Sequence, residues 1–166
     1  IRKGNDLGGE NFVDECALES DLQMSFPDDY VPSSSERMLL YRELDGLERG
    51  EDVEAFRLRM KDRFGEIPEE GEELIRVVTL RHLGKCLGAE KIFLKAGRMV
   101  LYFVQNEKSA YFESKAFGQC IAYAAMNAHR SNRREANGRR SMVIQEVRSV
   151  KDAVGILRQI SELQAV

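Results

Sequence analysis

The side chains able to do chemistry in this 166-residue chain gather in three places. Five glutamates, Glu66, Glu69, Glu70, Glu72 and Glu73, crowd the stretch "MKDRFGEIPEEGEEL" at residues 60–74, with Asp62 just ahead of them. Five arginines, Arg130, Arg133, Arg134, Arg139 and Arg140, lie within the eleven residues "RSNRREANGRR". His82 and Cys86 stand four residues apart, a helical spacing that could set a base beside a thiol. Paired carboxylates catalyse proton transfer only where burial shifts a pKa, so so polar an acidic cluster reads as a solvated face. The arginines suit phosphates or an acidic protein surface, but no aromatic residue is interleaved among them for base stacking. Nothing else in the sequence supports the His82–Cys86 pair as a nucleophile.

Other signatures of chemistry are missing. The sequence has neither G-x-x-x-x-G-K-[ST] nor G-x-G-x-x-G, the loops that cradle nucleotide phosphates. Cys16, Cys86 and Cys120 are far apart and odd in number, against a disulfide framework and against CxxC metal or redox chemistry. The reading is a domain with no catalytic residue, no cofactor, no metal and no small-molecule ligand.

An apolar fraction of 43% with 32% charged residues describes an ordinary globular protein. No apolar run approaches the roughly 20 residues needed to span a bilayer, and "IRKGNDLGGENF" has no apolar core of a signal peptide. The expectation is a cytoplasmic protein without membrane contact; Ile1 in place of Met agrees with a piece of a longer chain. Charge is lopsided. Residues 1–75 hold 9 Lys and Arg against 21 Asp and Glu, a net of −12, and residues 76–166 hold 16 against 7, a net of +9. Such asymmetry steers partners rather than folding, unless the two halves neutralise each other.

Periodicity places these residues on elements. Residues 1–17 read as a linker or frayed end, and 18–166 as one domain. "LESDLQMSF" alternates as a strand, with Leu22, Met24 and Phe26 on one face. Ser33 with Glu36 forms a capping box that opens a helix carrying Leu40, Leu44 and Leu47. A second helix follows Glu51 and Asp52, with Val53, Phe56, Met60 and Phe64 on its apolar face, and Gly65 and Pro68 separate it from a third. The third helix places Glu69, Glu70, Glu72 and Glu73 in its first turn, where the helix dipole favours acids. It stops near Gly88. "EKIFLKAGRMVLYFV" reads as a hairpin about Ala96-Gly97, and residues 112–129 as a helix. The arginines form a loop before the strand "SMVIQEV", and an amphipathic helix closes the chain. The order βαααββαβα predicts an α+β fold with helices on a small, mainly antiparallel sheet.

"FPDDYVPSSSERMLLYREL" and "MKDRFGEIPEEGEELIRVVTLRHLGKCLGAEKI", in this order and spacing, closely resemble the C-terminal domain of the bacterial transcription-repair coupling factor, Mfd. The resemblance covers residues 18–93 and rests on Asp29 to Pro32, Arg37, Tyr41, the run Asp62-Arg63-Phe64-Gly65 with Pro68, and Leu87-Gly88 before Lys91-Ile92. It implies a regulatory domain of a parent that is an ATP-driven translocase on duplex DNA. Such parents push stalled RNA polymerase off damaged DNA and recruit the excision-repair protein UvrA. In that family the last domain folds back on a module resembling UvrB, masks it, and holds the resting enzyme in check.

The acidic half of the chain would then be the docking surface, with Asp62 as principal contact and Glu66, Glu69 and Glu70 as secondary ones. Many relatives carry an acid three residues before this aspartate, where this chain has Arg59. That departure implies either a compensating change in the partner or a docking site elsewhere. Two other classes of function stand beside this one: a nucleic-acid-binding appendage using the Arg130–Arg140 loop, and an enzyme with an unrecognised site.

Overall fold

The structure, a computed structural model, describes residues 12–164. Of the stretch expected to be a linker, residues 1–11 lie outside the described residues, while Val13 and Cys16 are buried. The chain forms two compact units. One joins the described residues up to Leu22 with those from Arg81 onward, and the other is Gln23–Leu80.

The Gln23–Leu80 unit is helical. Helix α1 (Ser34–Asp45) starts where the capping box predicts, with the Ser33 hydroxyl accepting the Glu36 amide at 3.2 Å. Helix α2 (Gly50–Phe64) has acids Glu51 and Asp52 in its first turn and Lys61 and Arg63 in its last, matching the helix dipole at both ends. It stops at Gly65, whose amide donates to the Lys61 carbonyl at 2.9 Å and whose φ of 92° favours a residue without Cβ. Pro68 precedes helix α3 (Glu69–Cys86) and its carbonyl accepts the Gly71 and Glu72 amides at 2.9 and 3.0 Å. Residues of α3 up to Leu80 belong to this unit and the remainder to the other. Phe26, Val31, Leu44, Val53, Phe56, Met60 and Ile75 form the core. Phe26 stacks on Tyr41 and Phe56 with ring centroids 5.5 and 6.2 Å apart.

The other unit holds a five-stranded sheet in the order β1-β2-β3-β5-β4. Its strands are β1 (Ala17–Ser20), β2 (Ala89–Lys95), β3 (Arg98–Phe103), β4 (Ser131–Ala136) and β5 (Arg139–Gln145). Among the described residues only β1 pairs in parallel, with β2; every other neighbour is antiparallel. The β2–β3 turn is the expected Ala96-Gly97, with φ of 54° and 74°, as a two-residue hairpin requires. Helices α4 (Lys115–Met126) and α5 (Val150–Ser161) contribute Cys120, Tyr123, Val150, Ala153, Leu157 and Ile160 to a core completed by Met99, Leu101, Met142 and Ile144 of the sheet.

The α+β class and mainly antiparallel sheet are as the pattern predicts, but the order is βαααββαββα. Two expectations change. The strand expected over residues 18–26 ends at Ser20, whose hydroxyl donates to the Leu94 carbonyl and accepts the Leu22 amide in a turn. Phe26 is instead a core residue of the helical unit, which explains its apolar character without a sheet. The arginine stretch is not a loop but strand β4 and a hairpin turn at Asn137-Gly138, with φ of 55° and 74°. Only Ser131 of β4 is buried, so this edge strand has no apolar alternation to reveal it.

Candidate functional site

The acids around the α2–α3 joint divide into two sets. Glu72 takes two hydrogen bonds from Arg57, Nε to Oε1 at 2.9 Å and Nη2 to Oε2 at 2.7 Å, and Arg57 also reaches Glu54 at 2.9 Å. Arg76 joins Glu69 at 2.9 Å and buried Glu73 at 2.8 Å. The Arg57 hydrogen bonds hold the Glu72 carboxyl below its ordinary range against the opposing effect of burial. Three of the five glutamates therefore serve the helical unit itself. Glu70 has its backbone carbonyl accepting the Ser25 amide at 3.2 Å, and Glu66 forms an exposed pair with Lys61 at 3.5 Å.

Asp62 belongs to the second set. It is exposed and has no ion-pair partner among the described residues. It lies on the rim of a cavity of about 410 Å³ whose apolar wall is Leu40, Phe56, Met60 and Phe64. Arg59 and Arg63 share that rim, and each forms an ion pair across to α1, with Glu43 and Glu36 respectively. Their guanidinium carbons also sit over rings, Arg59 at 5.6 Å from Phe56 and Arg63 at 4.9 Å from Phe64.

The end of α2 is fixed by Tyr30, whose hydroxyl donates to the Gly65 carbonyl at 2.8 Å and lies 3.3 Å from that of Met60. Its ring meets Phe64 at 5.7 Å. Exposed Leu58 stands one turn before Asp62, and Leu39 is exposed between Glu36 and Glu43. The surface can thus offer an apolar recess and, on its rim, a carboxylate with no ion-pair partner among the described residues. Of the acids singled out in the sequence, Asp62 lines the cavity, while Glu66, Glu69 and Glu70 do not. Sequence reasoning missed Leu39 and Leu58; their places outside the apolar stripes were the available signal.

The arginines also separate. Arg130 is used structurally, donating to the Gln145 and Glu146 carbonyls at 2.8 and 2.9 Å. Arg139 pairs with Glu90 at 2.9 Å and lies over Tyr102. Arg133, Arg134 and Arg140 line a second cavity, of about 410 Å³, with Phe103, Phe117, Glu135 and Ser141. His82 Nε2 and Cys86 Sγ are 3.7 Å apart, as their spacing allows. Among the described residues no group of His, Cys, Asp and Glu could hold a metal ion, and no helix is long and apolar enough to cross a membrane.

The architecture is that of a small α+β module with a mainly antiparallel five-stranded sheet. It superposes with a TM-score of 0.68 on a crystal structure of the C-terminal domain of a transcription-repair coupling factor, covering 89% of this chain and 96% of the other. At 15% identity that likeness is one of fold. The TRCF domain model matches residues 20–114, and the chain belongs to this family. Transcription-repair-coupling factors from Rickettsia bellii and Escherichia coli are 33% identical over 111 residues and 28% identical over 78. These alignments cover 66% and 47% of this chain but 10% and 7% of those proteins. The chain spans about a tenth of the length of the curated relatives it matches.

Proposed function

We propose that this chain is the C-terminal regulatory domain of a transcription-repair coupling factor. It is non-catalytic and docks within its parent on a module resembling UvrB, restraining UvrA recruitment and the translocase. The parent would work in the cytoplasm on duplex DNA and stalled RNA polymerase. The observation that carries this reading is Asp62, without an ion-pair partner among the described residues, on the rim of an apolar recess inside the stretch matched by the family. A recess that takes an apolar anchor, bordered by a charge that needs a cationic partner, gives orientation and specificity over a modest area. Such a contact can be released, as an autoinhibitory one must be. Asp62 is the principal contact; Glu66, Glu69 and Glu70 add a negative field around it, with Glu69 already shared with Arg76.

The test is a titration of the purified chain against the separately expressed UvrB-like module of its parent, with wild type and Asp62→Arg side by side. Binding in trans is weakened by loss of the tether and its effective concentration, so high concentrations are needed. Saturable binding that Asp62→Arg abolishes is the expected result. No binding, or equal binding by the variant, overturns the assignment.

A further inference from the structure

The cavity between β4, β5 and the start of α4 shares no residue with the Asp62 surface, and the docking reading leaves it unused. Arg133 and Arg134 of β4 have no ion-pair partner among the described residues. Arg140 of β5 is held with its guanidinium 4.3 Å from the Phe112 ring centroid and 6.0 Å from that of Phe117. Ring contact fixes the plane of a guanidinium and leaves its N–H edge to donate. The one acid in the lining is Glu135, directly opposite Arg140 in the hairpin register.

Cations on an edge strand also discourage edge-to-edge pairing, which accounts for Arg133 and Arg134. It does not account for Arg140, which lies on an interior strand and stacks on aromatic rings. The sequence showed no aromatic residue among these arginines; the fold supplies Phe103 from β3 and Phe117 from α4.

We propose that this cavity binds a phosphate monoester carried on a nucleoside, either a free nucleotide or the phosphorylated end of a single strand. Arg133 and Arg140 share one face of the hairpin with Glu135, and Arg134 borders the cavity from the strand edge, so the lining is net positive, the sign that the roughly −1.5 to −2 charge of a phosphate monoester near neutral pH needs. Arginine also presents paired N–H donors suited to phosphate oxygens. A volume of about 410 Å³ falls within the range of small-ligand sites, and the phenylalanine edges offer an apolar wall to the sugar or base. This replaces the expectation of no small-molecule ligand and narrows the arginine reading from five residues to Arg133, Arg134 and Arg140.

The experiment titrates the purified chain with a 3′-fluorescent oligothymidylate of about ten nucleotides, with and without a 5′-phosphate, reading anisotropy. AMP, inorganic phosphate and a glutamate-rich peptide are the competitors. The 5′-phosphorylated strand should bind about tenfold more tightly than the 5′-hydroxyl strand, as expected for losing a charge-assisted set of hydrogen bonds. Arg133→Glu, on the exposed edge, should remove that preference with an unchanged thermal midpoint, and Arg98→Gln, outside the cavity, should keep it. If AMP displaces the strand, the ligand is the free nucleotide; if it does not, the ligand is the strand end. Equal affinity for both strands, no saturable binding, indifference to Arg133→Glu, or stronger displacement by the acidic peptide overturns the proposal.

Discussion

Arg57 on α2 and Glu72 on α3 meet through two parallel hydrogen bonds of 2.9 and 2.7 Å, a bidentate clasp between neighbouring helices. The clasp sets a pH dependence with a definite sign. The folded pKa of Glu72 is depressed by Arg57, so its stabilisation is complete above the unfolded value of about 4.3 and is lost as pH falls through the lower folded value. Glu72→Gln should cost about 1 to 2 kcal/mol at neutral pH, moderated because both side chains partly face solvent. Thermal melts should show the gap closing below about pH 4. A gap that persists undiminished in acid would show that the carboxylate charge is not its source.

Tyr30 and Asp62 should behave oppositely. Tyr30→Phe loses the hydroxyl that holds the Gly65 carbonyl and should lower stability by about 0.5 to 1.5 kcal/mol. Burial, then the charges of Glu72 and Glu66, push the Tyr30 pKa up, so the donor is retained across the neutral range. Asp62→Arg touches an exposed residue without an ion-pair partner among the described residues and should change stability by less than about 0.5 kcal/mol. Paired thermal melts and docking titrations separate the two: stability falls in one variant, docking in the other.

Gly88 should not tolerate a methyl group. A Cβ there would stand 2.0 Å from Tyr111 Cε1, and φ is +88°. Tyr111 cannot retreat without breaking the hydrogen bond it donates to the Leu87 carbonyl. Gly88→Ala should cost about 3 kcal/mol or more, combining overpacking with backbone strain. Gly50→Ala, with nothing within 4 Å, is the control and should be neutral or slightly stabilising in a denaturant melt.

The three thiols should differ in reactivity. Burial pushes Cys16 and Cys120 up to about 12, leaving almost no thiolate near neutral pH. Cys86 is only half-buried. Iodoacetamide at mildly alkaline pH should label Cys86 first, with Cys16 and Cys120 following only on unfolding, and peptide mass spectrometry reads the order. Early labelling of Cys120 would contradict its burial.

Many local signals were legible because their cause lies within a few residues, although the Asn137-Gly138 turn was read as part of a loop. The Ser33 cap, the Gly65 stop, the apolar stripe of Val53, Phe56 and Met60, and the Ala96-Gly97 turn all depend on near neighbours, and each is where the pattern predicts. The stretch from Asp62 to Pro68, part of the resemblance read residue by residue, lies within the residues 20–114 that the family model matches.

Long-range pairing was not legible. Strand β4 exists because β5 accepts it, and its polar faces carry no period of two. β1 pairs with a parallel partner, β2, some seventy residues away, and ends at Ser20, where the hydroxyl bonded to the Leu94 carbonyl accepts the Leu22 amide. The helices, the Ser33 cap, the Ala96-Gly97 turn and the resemblance to the family could be read along the chain. Only the folded arrangement shows that Glu72 and Glu73 are clasped while Asp62 has no ion-pair partner among the described residues, and that Arg133, Arg134 and Arg140 border one cavity while Arg130 and Arg139 turn to other partners. Capping and turn preferences act along the chain, whereas the partner of a charge is fixed only when distant segments are brought within hydrogen-bonding distance.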